Sequence, residues 1–250
     1  MLTNFIIQAN TQNEQKYMRQ LIDFVCKLFI EIFGAGALSK EQCIIYNDAS
    51  ANCPMLVREC NHKLIHPICI RLNCSDLSYW AQFIFQFSHE LTHYVIRQYK
   101  VDKSAIIKWF EETICEAMSL YIVKLAGERW TECELASVKS SFGNSLVEYY
   151  QNKYNTTAES ALSNCKSLSD LKELDQCCES NRVARSIERN YLFDSFVSMP
   201  YSIQSLVYYP LFMRGDLSAG YYTVNFADWT SSSNYSPLVD CLQNIQPKFA

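Results

Sequence analysis

The stretch from residue 80 to residue 121 constrains the fold more than any other, and its centre is Phe87-Ser88-His89-Glu90-Leu91-Thr92-His93. Two histidines four residues apart lie one above the other on a helix face, so both imidazoles reach one metal ion. Glu90 takes a neighbouring angle, where a carboxylate accepts a proton from a water polarised by that ion. The flanks suit a helix: Tyr79, Trp80, Phe83, Ile84, Phe87, Leu91 and Val95 recur at spacings of three and four. Eighteen residues separate His93 from Glu112, which lies in a second helix-like run, Trp109-Phe110-Glu111-Glu112-Thr113-Ile114-Cys115-Glu116-Ala117. Glu112 there is a candidate third protein ligand that would leave a fourth position for water. The link from Lys100 to Lys103 is short, which predicts two nearly antiparallel neighbouring helices and brings Glu112 back to the histidines.

An apolar helix that turns histidines and glutamates inward needs a partner for them, because buried charge is costly. A divalent ion offsets that cost. Two imidazoles and a carboxylate suit zinc, one ion per chain. Glu112 and Glu116 are one turn apart on one face and compete for the third-ligand position. Spacing and the Trp109 context favour Glu112. Glu116 is then expected to accept a hydrogen bond from the free ring nitrogen of His89 or His93. Glu111 is expected to meet solvent, and Cys115 to pack.

These residues resemble the gluzincin zinc metallopeptidases, the thermolysin-like and aminopeptidase-N-like group, whose pattern is His-Glu-x-x-His on one helix and a ligand Glu on the next. The spacing to Glu112 is similar to that of the aminopeptidase-N-like members, and Trp109-Phe-Glu-Glu112-Thr looks like their Trp-x-x-Glu-Gly segment. Glu116, one turn on, resembles the acidic residue that supports a histidine in thermolysin-like members. The likeness covers about forty residues and identifies a superfamily, not a substrate. It implies a zinc-dependent metallopeptidase acting on a peptide or protein, with Glu90 as general base on a metal-activated water. It also implies a Tyr or His from the C-terminal half for the oxyanion. No histidine follows His93, so a tyrosine is expected: Tyr191 first, with Tyr201, Tyr208 and Tyr209 as alternatives. The Gly-x-Met-x-Asn segment that holds the substrate amine in aminopeptidases is absent, so that specificity does not carry over. The alternative function is a zincin-like regulatory or binding module that keeps the metal ligands and acts on a protein partner.

An apolar share of 49%, with 14% aromatic, supplies a real core, and a net charge of −4 gives no nucleic-acid footprint. Leu21 to Leu38 is interrupted by Asp23, Lys27 and Glu31, which predicts an amphipathic helix and no membrane span. No secretory signal is evident, so the expected location is cytoplasmic, with the twelve cysteines as free thiols.

The expected fold is α+β. A zincin-like metal domain over 1–127 holds a small antiparallel sheet, the active-site helix and the glutamate helix; a mostly helical C-terminal subdomain over 128–250 packs on it. A helix is predicted over Glu14 to Phe33, ended by Gly34 and Gly36. Cys43–Tyr46, Met55–Glu59 and Leu64–Leu72 read as strands. The family resemblance makes Ile68–Leu72 an edge strand beside the metal cleft. His62 and His66 are expected in a surface turn. Gly127 is expected to stop the glutamate helix, and Thr131-x-x-Glu134 to box the start of a helix reaching Tyr154. Shorter helices follow over 157–164, 168–178, 182–197 and 202–214, then an extended segment over Tyr221–Phe226 and a last helix from Ser236-Pro237.

Overall fold

The computed structural model describes residues 4–38, 41–57, 68–101, 106–156, 162–177, 182–200, 202–216, 221–232, 239–240, 242–244 and 246. His62, His66, Tyr201 and the Ser236-Pro237 start of the predicted last helix lie outside the described residues; 239–240, 242–244 and 246 are helical, as predicted. The architecture is α+β, as expected. Its first elements are β1 (Phe5–Gln8), α1 (Gln12–Phe33), β2 (Cys43–Asn47), β3 (Met55–Val57) and β4 (Ile68–Leu72). Two long helices follow, α2 (Trp80–Arg97) and α3 (Lys108–Glu128), then α4 (Phe142–Asn155). The remainder comprises α5 (Leu168–Cys177), α6 (Ser186–Ser198), α7 (Ser202–Leu206), a hairpin of β5 (Met213–Asp216) and β6 (Tyr221–Val224), and α8 (Phe226–Ser232).

The sheet corrects the expected antiparallel one. Its order is β1-β2-β4-β3, with β1, β2 and β4 mutually parallel and only β3 antiparallel. The strand expected at the edge, β4, is internal, and β3 takes the edge. The reason lies in the side chains. Cys43, Ile44 and Ile45 of β2 are buried in succession, as are Ile68, Cys69 and Ile70 of β4. Consecutive burial means that both faces are covered, the signature of parallel strands with crossover connections. α1 is the crossover from β1 to β2.

The ends of α1 show how the chain is started and stopped. Thr11 Oγ1 accepts from the Glu14 amide while Glu14 accepts from the Thr11 amide, a reciprocal capping box. Gly34 closes the helix at φ +80°, a conformation that disfavours any side chain. The same Thr-x-x-Glu pattern at Thr131–Glu134 forms no helix start; short 3₁₀ turns occupy 130–137, and α4 begins only at Phe142. Glu132 and Glu134 there bond instead to Lys27, Arg129 and Gln20. Gly127 does not stop α3 but lies within it. A methyl on Gly143 would come within 2.8 Å of the Gly127 carbonyl oxygen, so α3 and α4 approach backbone to backbone there.

By its contacts the chain forms two compact units, Met1–Val95 with Ser119–Asn152, and Ile96–Met118 with Lys153–Ala250. The division is interleaved, not a single cut near residue 127. In the first unit Trp130 stacks on Trp80 at 5.8 Å and meets Phe24 and Phe142. In the second, Phe110 meets Tyr209 and Phe226 edge-on. No helix of the described residues is long and apolar enough to cross a membrane. Cys26, Cys43, Cys53, Cys74, Cys115, Cys133, Cys165 and Cys177 carry free thiols. Burial pushes the Cys43 and Cys74 thiols up to about 12, which leaves them protonated packing groups. Cys69, expected to be a free thiol, is disulfide-bonded.

Candidate metal centre

α2 forms where the apolar spacing requires it. Phe83, Ile84, Phe87, Leu91 and Val95 are all fully buried. Its position along the sheet is set by a neutral anchor. Gln86 accepts from the Asn73 amide at 3.0 Å and donates to Asn73 Oδ1 at 2.6 Å, tying the helix to the loop that leaves β4. Thr92 folds its hydroxyl back on the Ser88 carbonyl at 2.7 Å, so that hydroxyl is satisfied within the helix.

His89 and His93 turn their Nε2 atoms toward each other at 3.3 Å, with ring centroids 5.0 Å apart. Two neutral imidazoles face this way if one nitrogen donates its proton to the other, or if a cation accepts both lone pairs. Two nitrogens bound tetrahedrally at zinc distances stand about 3.3 Å apart. The pair is therefore spaced as ligands are, and Nε2 is the atom that each would offer an ion. One ligand atom from each of His89, His93 and Glu112 lies within 4.8 Å of the other two. No second trio of His, Cys, Asp or Glu atoms meets that limit among the described residues. Two imidazole nitrogens and one carboxylate oxygen are the donor set of a zinc site that keeps a position open. His89 and Glu90 are buried, at 8% and 3% exposure, while the Glu112 side chain keeps 19%. The residues fit a divalent ion in charge, donor type and spacing.

Glu112 sits in the first turns of α3, and three polar ties hold that segment. Asp175 on α5 accepts from the Trp109 amide at 3.1 Å, capping the helix from a distant element. Burial raises the Asp175 carboxyl, and the amides of Trp109 and Lys108 pull it back down. Glu111 binds the ammonium of Lys100 at 2.7 Å and accepts from the hydroxyl of Tyr209. The Tyr209 phenol is held well above its ordinary range, first by burial and then by the Glu111 charge, so it remains a donor. Arg185 donates to Glu116 Oε1 at 2.9 Å and stands 3.9 Å from Glu112 Oε2.

Several expectations change here. Glu111, expected at the surface, is 2% exposed, because its charge is matched inside by Lys100 and Tyr209. Glu116 is paired with Arg185 and not with a histidine ring, and its Oε2 has no hydrogen-bond partner among the described residues. The Tyr191 hydroxyl donates to the Asn244 carbonyl at 2.6 Å. A phenol has one proton to donate, so Tyr191 can serve an oxyanion only by giving up that bond. Tyr208 lies edge-on to Tyr99, with centroids 4.4 Å apart, and Tyr209 is fully buried on Glu111. Cys115 is buried. Lys100, Asp175 and Arg185 are the residues that sequence reasoning missed. The signal for them is indirect: two adjacent glutamates in an apolar helix require cations, but nothing local says which.

Comparison with family models, with curated proteins and with solved structures finds no match for this chain.

Proposed function

We propose that the chain is a zinc-dependent metallopeptidase of gluzincin type, in which His89, His93 and Glu112 hold one divalent ion and Glu90 is the general base. The observation that carries the reading is the pair of Nε2 atoms 3.3 Å apart with Glu112 in reach. When bound, such an ion lowers the pKa of a water and polarises a carbonyl. Glu90 follows His89 directly on α2, so its carboxylate is offered beside the ligand pair. It removes the proton as the water oxygen adds to the peptide carbon, and passes it to the amine nitrogen as the carbon–nitrogen bond breaks. Arg185 holds Glu116, one turn from Glu112, and so braces the carboxylate ligand.

The resemblance assigns an edge strand beside the metal cleft to extended substrate; β4 is internal, so that role does not carry over to it.

The test is metal content by mass spectrometry on protein purified without chelator, for wild type and His93→Ala in parallel. The expected result is about one zinc per chain, lost in the variant. Peptide-library cleavage then compares wild type with Glu90→Gln, which should retain zinc and lose about 10²-fold or more in rate. A chain that takes up no divalent ion overturns the metal reading. One that binds zinc but cleaves nothing with Glu90 present is the regulatory or binding module instead.

A further inference from the structure

Three side chains from separate segments meet at one carboxylate oxygen. Lys100 Nζ lies 2.7 Å from Glu111 Oε2, and the Tyr209 hydroxyl donates to the same atom. Lys100 is 9% exposed, Glu111 2% and Tyr209 0%. A buried ion pair adds little to stability, because desolvation offsets the attraction. Its best-attested use is to fix register: any other alignment strands a charge away from water.

The place of this pair gives the register a purpose. Glu111 immediately precedes Glu112, and successive helical residues are about 100° apart around the axis. Whatever fixes the direction of Glu111 therefore fixes the direction of Glu112. The donors bracket the segment in sequence as well. Lys100 comes three residues after the last residue of α2, and Tyr209 is 98 residues beyond Glu111. Phe110 packs edge-on against the Tyr209 ring at 5.2 Å, so the ring that carries the hydroxyl is itself held by the turn it orients. A small rotation of α3 would withdraw Oε2 from both donors together.

We infer that Lys100 and Tyr209 are positioning residues that set the rotation of α3 and so aim Glu112 at the histidine pair, an inference that rests on reading His89, His93 and Glu112 as a metal site. Neither residue touches the ion. Each acts through Glu111 and the helix backbone.

The experiment is a zinc titration of the full chain in competition with a chromophoric chelator. It uses wild type, Tyr209→Phe, the double variant Lys100→Met with Glu111→Gln, and the same double variant in a Glu112→Gln background. The double variant removes both charges at nearly constant volume, so its zinc-free melting temperature should stay near that of wild type. Its zinc Kd should rise by about 10- to 100-fold, the usual effect of losing a group that orients a ligand. Tyr209→Phe keeps the ring and the fold and should give the low end of that range. In the Glu112→Gln background the double variant should cause no further loss, because its effect passes through Glu112. A merely structural role would not produce that non-additivity. Wild-type affinity in both triad variants overturns the inference, as does a loss that adds in full to that of Glu112→Gln. If wild type binds no zinc, the metal reading itself fails, and the wild-type titration alone shows it.

Discussion

The helix that carries the histidines and the helix that carries Glu112 are held by different physics. α2 is fixed chiefly by apolar burial, with neutral polar anchors that include Gln86 against Asn73 and the Tyr94 hydroxyl on the Glu41 backbone. The first turns of α3 are fixed by charge: Asp175 on the Trp109 amide, Lys100 and Tyr209 on Glu111, Arg185 on Glu116. The difference follows from the side chains that the two segments bury. A neutral imidazole can be carried into an apolar setting by its neighbours, whereas a carboxylate brings a charge that must be matched. The buried glutamates beside Glu112 therefore recruit cations, and those cations come from elsewhere in the chain.

The largest effect that sharpens the contrast is at Phe87, which is fully buried on α2. Phe87→Ala should cost about 3–5 kcal/mol by urea denaturation, and the loss should be the same at low and high salt, since a cavity is indifferent to screening. A loss that shrinks with salt would mean that α2 depends on charge after all. Next comes Arg185→Met, expected to cost about 3 kcal/mol because it leaves the Glu116 carboxylate buried without its cation. Adding Glu116→Gln should restore most of that loss. If it restores nothing, packing and not charge explains Arg185, and the contrast fails.

The smallest effect concerns charges that water already reaches. On the first unit Glu132 lies between Arg129 and Lys27, which hold its carboxyl down to about 2, with Arg129 the stronger influence. A carboxyl depressed in the folded state adds stability above its ordinary value of 4.5 and loses it as pH falls toward 2. The difference in melting temperature between wild type and Glu132→Gln should thus be constant above about pH 5.5 and fade as acid approaches pH 2. Added salt should shrink it throughout, as screening does at a surface and not in a core.

What the sequence shows of this molecule tracks the range of the forces involved. α1, α2 and most of α3 are legible because their apolar residues repeat every three to four positions, and the ligand trio is legible because its spacing is local to two helices. The parallel sheet is not, although its mark is present. Cys43-Ile44-Ile45 and Ile68-Cys69-Ile70 are unbroken apolar runs, which suit strands covered on both faces better than a hairpin with one wet side. The two Thr-x-x-Glu patterns are identical as strings. One caps α1, while the glutamates around the other are taken by Lys27, Arg129 and Gln20, up to 114 residues away. The burial of Glu111 is decided the same way, by Tyr209.

The span of those ties matters while the chain is being made. Trp109 waits 66 residues for Asp175, Glu116 waits 69 for Arg185, and Glu111 waits 98 for Tyr209. At ordinary synthesis speeds the longest wait is about 5–20 seconds. Throughout that interval the nascent chain already displays both histidines and Glu112, but without most of the bonds that hold the first turns of α3. A free divalent ion meeting the chain then finds two nitrogens and a loosely aimed oxygen. On the proposed metal reading, the well-ordered site is a late product of translation, completed only after Tyr209 has emerged.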